Sequence, residues 1–156
     1  TEMDMNPDRI LEFARENCAV EVEYTAADGK KSIIKGFDFA PAAHVARGGV
    51  ISTEWTAQMI IAYRIMADYY RAKDVQTKAL AYEQIADEYQ ASLCTMIISS
   101  PSPTGQGEGC LPYASAESVD TGHGWVTPTG RTTGSVSGTA YTIFAYYNYN
   151  PLAWRD

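Results

Sequence analysis

The segment from Gly48 to Arg71 constrains this chain most. Ser52 and Thr53 are residue types that cap helix N-termini, and Ala57 to Tyr70 behind them is apolar almost all the way round. A helix that is apolar on every side is expected to be buried on every side. Its first turn nevertheless carries Glu54 and Trp55. A carboxylate there meets the positive end of the helix dipole and unpaired backbone N–H groups. Such a tip suits an acid/base or sugar-binding site at the mouth of a helical barrel. It equally suits an ordinary charged first turn.

The next segment has a different periodicity. Ala79, Tyr82, Ala86, Tyr89, Leu93 and Met96 form one apolar stripe, with Lys78, Glu83, Asp87, Glu88 and Gln90 off it. Asp74 is a residue type that can cap this third helix. A short connection makes the second and third helices an antiparallel αα-hairpin, one inner and one outer. That pair is the repeating unit of α/α toroids. Earlier in the chain, Asn6-Pro7-Asp8 opens a first helix to about Asn17. From Ala19 the period becomes two. Val20, Val22 and Tyr24 alternate with glutamates, Ala27-Asp28-Gly29-Lys30 is a turn, and Ser32–Phe37 returns as a second strand.

Asp38–Val50 reads as an Ala/Gly/Pro-rich loop, and Ser99–Ser135 as a long one. The long loop contains Pro101, Pro103, Gly105, Gly107, Gly109, Pro112, Gly122, Gly124, Pro128 and Gly130. It also contains Leu111, Tyr113, His123 and Trp125, so it is expected to be ordered; long loops in compact domains are usually functional or disordered. Ser137 or Thr139 opens a fourth helix over Ala140–Asn148, stopped by Asn150-Pro151. The expected fold is mainly α: helical hairpins of α/α-toroid type, one small β-hairpin and a long ordered loop. Residues 1–47 form an N-terminal helix plus β-hairpin and 48–156 a helical-hairpin region, together one unit.

The 156 residues suffice for a real core. A net charge of -7 argues against a nucleic-acid backbone as partner. The longest apolar run is far below the ~20 residues that span a bilayer. From the start Thr-Glu-Met-Asp, a processed piece, an excised domain or a trimmed chain is expected. Cys18, Cys94 and Cys110 match no zinc or redox spacing. Cys94 and Cys110 can form a disulfide or remain free thiols, which leaves the redox compartment open.

Two groups carry candidate chemistry. In Glu54-Trp55, burial raises the carboxylate pKa and the helix terminus lowers it, a balance that suits a general acid or base. In Asp120-Thr121-Gly122-His123-Gly124-Trp125, glycines flank the imidazole and permit tight backbone. Asp120 there is a catalytic carboxylate, an orienter of a sugar hydroxyl or the cap of its own turn, and His123 can hydrogen-bond substrate or stabilise negative charge. Glu108 and Glu117 are weaker candidates. With one histidine nearby, no metal is expected from Asp120, His123 and these acids. Gly105-Gln106-Gly107-Glu108-Gly109 lacks the strand, helix and lysine of a phosphate loop. Gly134-Ser135-Val136-Ser137-Gly138 has valine where a nucleophile elbow needs serine. Eleven tyrosines and three tryptophans supply rigid, half-polar surfaces of the kind found in sugar sites, packed cores and interfaces.

Four strings then carry a resemblance: Gly49-Val50-Ile51-Ser52-Thr53-Glu54-Trp55-Thr56, Leu111-Pro112-Tyr113-Ala114, Asp120–Trp125, and Gly138-Thr139-Ala140-Tyr141 through Tyr149-Asn150-Pro151-Leu152. Over roughly 48–154 the chain resembles the C-terminal part of bacterial six-hairpin glycosidase-like proteins. These have an (α/α)6 toroid whose inner helices point their ends at a central sugar cleft. The resemblance implies glycoside hydrolysis by a carboxylate pair. On it, Glu54 and Asp120 are the expected catalytic residues, and Trp55, Tyr113, His123 and Trp125 line the subsites. It implies carbohydrate as partner and no cofactor. A complete toroid needs several times the helices offered here. The chain is therefore expected to be part of a larger protein or a homo-oligomer that covers its open apolar faces. Two other functions fit the same residues: a self-assembling, tyrosine-rich structural subunit, and a non-catalytic glycan-binding module.

Overall fold

The computed structural model describes residues 6–99, 107–130 and 132–153. The opening Thr1-Glu2-Met3-Asp4, the turn residues Pro101, Pro103 and Gly105, and Gln106 lie outside the described residues. The order of elements is α1 (Pro7–Cys18), β1 (Ala19–Thr25), β2 (Lys31–Phe37), a single 3-10 turn (Ala42–His44), α2 (Thr53–Ala72), α3 (Gln76–Thr95) and α4 (Val136–Tyr146). The molecule is mainly α, with one antiparallel two-stranded hairpin. None of the helices is long and apolar enough, among the described residues, to cross a membrane.

Local chemistry explains most boundaries. The Asn6 side chain accepts from the Asp8 N–H and Pro7 takes the first helical position of α1. Gly29 sits at φ 84 in the hairpin turn, which pairs Ala19 with Phe37 and Thr25 with Lys31. Ser52 caps α2 by accepting from Trp55 N–H. Two caps differ from the sequence reading. Asp74 does not cap α3; it takes a left-handed φ of 58 in the link, and Val75 stands at the cap position. Helix α4 starts at Val136 and not at Ala140, because Ser135 accepts from Gly138 N–H. It also ends earlier, since Asn148 turns left-handed at φ 51 and Tyr149 N–H returns to the Phe144 carbonyl at 2.8 Å.

One buried cluster runs through both halves of the chain. Leu11, Tyr24, Ile34 and Phe37 from the N-terminal part meet Ile51, Ala57, Ile60, Tyr63, Leu93, Met96 and Ala145. The α3 stripe points inward as its spacing predicts, with Ala79, Ala86, Tyr89, Leu93 and Met96 buried. Helix α2 is less enclosed than its composition suggests. It packs against α3, α4 and β2. Gln58, Ile65, Asp68 and Tyr69 along it are exposed. Apolar composition drives burial but supplies no neighbour, and too few elements surround α2 to close its last side.

Polar links pin these layers. Arg64 of α2 donates to the carbonyls of Ala145 and Tyr146 at the end of α4 and to Asp87 of α3. A cation there meets the negative pole of α4. Where α2 ends and α3 begins, the Asp8 carboxylate accepts from Tyr70 at 2.5 Å, Tyr82 at 2.6 Å and Lys78 at 2.8 Å. Burial pushes its pKa up, but the bonds from Lys78, Tyr70 and Tyr82 outweigh that and hold it at about 2. A carboxyl whose pKa falls on folding stabilises the fold above its unfolded pKa, and loses that contribution as the pH drops through the folded value. The loss therefore falls between about 3.8 and about 2. Discounted for the exposed lysine, it amounts to about 1–2 kcal/mol. Urea melts of wild type and Asp8→Asn are expected to differ by that amount at neutral pH and to converge near pH 2. A gap that persists undiminished in acid would show that ionisation is not what Asp8 contributes.

All three cysteines, Cys18, Cys94 and Cys110, are free thiols. Burial raises the Cys18 pKa, with the charge of Asp38 adding to it.

Candidate functional site: a closed circuit of aromatic rings

Three segments far apart in sequence converge at the start of α2. Ser52 bridges Phe37, at the end of β2, to Ala114 in the long loop. Ser52 N–H donates to the Phe37 carbonyl at 2.9 Å, and Ile51 and Ser115 exchange two bonds of 2.9 Å. The buried Thr53 hydroxyl donates to the Pro112 carbonyl at 2.7 Å. These bonds fix Tyr113 beside the first turn of α2. The described part of the long loop is thus ordered by hydrogen bonds to structure outside it.

The second convergence involves the 120–127 turn. Gly122 and Gly124 take φ of 81 and 88, so the backbone on both sides of His123 uses the region that favours glycine. A side chain at Gly122 would in addition meet Val45 at 2.8 Å and Ala40 at 3.0 Å. The turn is closed by Thr121, which bonds the Trp125 carbonyl through its amide and its hydroxyl.

Five rings then form a closed circuit. Trp55 meets His123 edge-on at 5.4 Å, and His123 stacks on Trp125 at 5.4 Å and 28°. Trp125 Nε1 donates to the Tyr113 hydroxyl at 3.1 Å. Tyr113 stacks on Phe39 at 5.6 Å and 15°, and Phe39 returns to Trp55 at 5.3 Å. His123 Nε2 lies 2.6 Å from the Phe39 carbonyl. A carbonyl only accepts, so Nε2 donates and Nδ1 remains the ring atom able to meet another molecule. Phe39 is buried as the floor, whereas Trp125 is 45 % exposed.

Trp55, Tyr113, His123 and Trp125, the four residues expected to line subsites, are therefore gathered in one place. The two carboxylates have local partners. Glu54 is half-buried in the same helical turn as Trp55 and accepts from Gln58 Nε2 at 3.2 Å. Asp120 is exposed and accepts from Gly122 N–H at 2.9 Å, capping its own turn. Among the described residues neither bonds to the other or to a ring of the circuit. Of the weaker candidates, Glu117 accepts from Gly130 N–H at 2.9 Å and Glu108 is exposed.

Sequence reasoning missed the parts that hold the circuit together. Asp38 is 3 % exposed and receives both terminal nitrogens of Arg47 at 2.7 Å. Its oxygens also accept from Val50 N–H at 2.9 Å and Phe39 N–H at 2.6 Å. Arg47 Nε donates to the Asp120 carbonyl, and Nη1 to that of Gly48. Hydrogen bonding to Asp38 pushes the Arg47 pKa up, so the guanidinium stays charged. One ion pair thereby ties the 38–50 loop, which carries Phe39, to the turn that carries His123 and Trp125. Phe39 had no periodic signal, because the alternation of β2 breaks at Phe37 and residues 36–40 are all buried. Compared with protein-family models, curated proteins and solved structures, the chain matches none.

Proposed function

We propose that this chain binds carbohydrate on the circuit of Trp55, Tyr113, His123 and Trp125, as part of a carbohydrate-active protein of α/α-toroid type. The observation that carries the reading is the circuit itself. Aromatic side chains from the start of α2, from 113 and from the 120–127 turn meet by edge contacts, stacking and one hydrogen bond, with polar tips at Tyr113 and His123 and an exposed indole at Trp125. Sugar rings present apolar C–H faces and polar rims, which such a surface matches. Glu54 and Asp120 are the carboxylates through which glycoside hydrolysis would run, one as acid and the other as base or nucleophile. An acidic chain with aromatic platforms suits neutral or basic sugars better than anionic polymers.

A glycan array followed by titration with the best neutral oligosaccharide tests the reading. Trp125→Ala is expected to weaken affinity about 30-fold, the loss of a hot-spot tryptophan. In the full-length protein Glu54→Gln and Asp120→Asn are expected to preserve affinity and lower turnover at least ~10²-fold. Sugar binding with turnover indifferent to both carboxylates would leave a non-catalytic glycan-binding module. No sugar binding at all would end the reading.

A second reading rests on a different surface. Ile143 and Tyr146 of α4, Tyr147 and Leu152 beyond it, and Ile65 and Tyr69 of α2 are exposed. Apolar area of this kind is normally covered by a partner. On this reading the chain is a self-assembling subunit, and light scattering would find a concentration-independent oligomer inert to sugars.

A further inference from the structure

We propose that a second cleft, between α1 and α3 and away from the aromatic circuit, binds a small organic monocarboxylate whose apolar body is about the size of a phenyl ring. The cleft measures about 190 Å³. An apolar cavity of about 150 Å³ accepts benzene, so a single ring fits. Leu11, Ile85 and the ring of Tyr82 supply apolar wall.

The polar groups around it are almost all donors. Tyr63 reaches the cleft from α2, is 2 % exposed, and its hydroxyl has no hydrogen-bond partner among the described residues. A buried hydroxyl left unpaired costs about 1–3 kcal/mol, and folded proteins seldom tolerate it. Burial, and to a lesser degree Tyr89, push the Tyr63 pKa up to about 12, with Arg15 opposing them. The phenol therefore keeps its proton at ordinary pH and is able to donate.

Arg15 lies on the wall of the cleft, exposed, with no ion pair or hydrogen bond among the described residues. Lys78 is also on the wall, but Asp8 and Tyr70 occupy its ammonium at 2.8 and 3.0 Å. Glu12 is the one acid among the lining residues, and the Asp8 carboxylate beside them is taken up by Lys78 and Tyr82. In this proposal the carboxylate pairs with Arg15, whose charge balances its own, and turns an oxygen toward the unpartnered Tyr63 hydroxyl. A dianion would leave its second charge facing Glu12. The apolar walls demand a hydrocarbon body, which acetate lacks.

Amide-resolved NMR titration of the full chain with sodium benzoate tests this, with sodium acetate and benzyl alcohol as comparisons. Saturable binding with Kd of about 1 mM or tighter is expected, with shifts centred on Leu11, Arg15, Tyr63 and Ile85. Acetate and benzyl alcohol are each expected to bind at least tenfold more weakly. Tyr63→Phe removes a hydroxyl that has no partner, so it is expected to fold with unchanged or higher Tm. It should nonetheless weaken benzoate about tenfold, as loss of a hydrogen bond to a charged acceptor does. Arg15→Gln is expected to weaken benzoate at least as much. Absence of saturation, which would mean a merely water-filled cleft, overturns the proposal. So do equal affinities for benzoate and benzyl alcohol, affinity indifferent to both substitutions, or shifts confined to the rings around Trp125.

Discussion

Asp38→Ala is expected to destabilise the protein by about 3–5 kcal/mol, the usual cost of removing one partner from a buried ion pair. The reason lies in how completely each partner is used. Asp38 accepts two bonds from Arg47 and one each from the amides of Phe39 and Val50. Arg47, whose side chain is 12 % exposed, divides its remaining bonds between the carbonyls of Gly48 and Asp120. Removing the carboxylate strands a guanidinium and two amides away from water at one stroke. It also frees the 38–50 loop from the 120–127 turn, so Phe39 no longer sits under Trp55 and Tyr113. Urea denaturation should show the loss, and titration of a neutral oligosaccharide should find little affinity left. Asp38→Leu combined with Arg47→Met is expected to recover much of the stability, since a paired apolar replacement strands no charge. The double variant should not regain sugar affinity, because nothing in it holds Asp120. A single Asp38→Ala variant within about 1 kcal/mol of wild type would show that the loop is held by packing alone.

Local rules were sufficient for the parts of the fold decided within a few residues. Asn6-Pro7-Asp8, the Asp28-Gly29 turn and the α3 stripe each follow from chemistry that a short window contains. Where a choice among equivalent residues is made by distant structure, the window fails. Ser135, Ser137 and Thr139 are all fit to open α4. Ser135 wins, and its amide is held by the Leu111 carbonyl at 2.7 Å, a contact set by the long loop. Asp74 is a good cap by type, yet the tight link from α2 to α3 puts it in left-handed backbone. The site divides in the same way. Its rings were legible because glycine-flanked His123 and the aromatic residues announce themselves by type. Their mutual arrangement, and the Asp38–Arg47 clamp behind it, depend on pairings nine and more residues apart that no periodicity encodes. The second cleft was invisible for the same reason. Arg15 and Tyr63 look like a surface charge and a core ring until α1 is laid across α2 and α3.

Gly138→Ala carries the other large expected effect, and its sign runs against helix propensity. In the first turns of an unencumbered helix, glycine to alanine stabilises by up to about 1 kcal/mol. Here a Cβ on Gly138 would collide with the Thr53 hydroxyl, with Thr53 Cβ at 3.2 Å and Ser135 Oγ at 3.3 Å behind it. Thr53 is fully buried, and its hydroxyl bonds the carbonyls of Pro112 at 2.7 Å and Tyr113 at 3.1 Å. It has nowhere to turn without surrendering them. Either α4 moves off α2, opening the core at Ala145, or Thr53 rotates and leaves its partners unsatisfied. Overpacking and a lost buried bond together set the expected cost at about 2–4 kcal/mol. For a chain of this length that corresponds to a fall in Tm of roughly 5–15 °C. Thr53→Ala alone is expected to cost about 1–3 kcal/mol through the same unsatisfied carbonyls. Adding Gly138→Ala to it should then cost little, because the colliding atom is gone. That non-additivity is the diagnostic measurement. If the two substitutions add, or if Gly138→Ala raises Tm, the helices do not meet through this glycine, and Tyr113 is positioned by something other than the junction of α2 and α4.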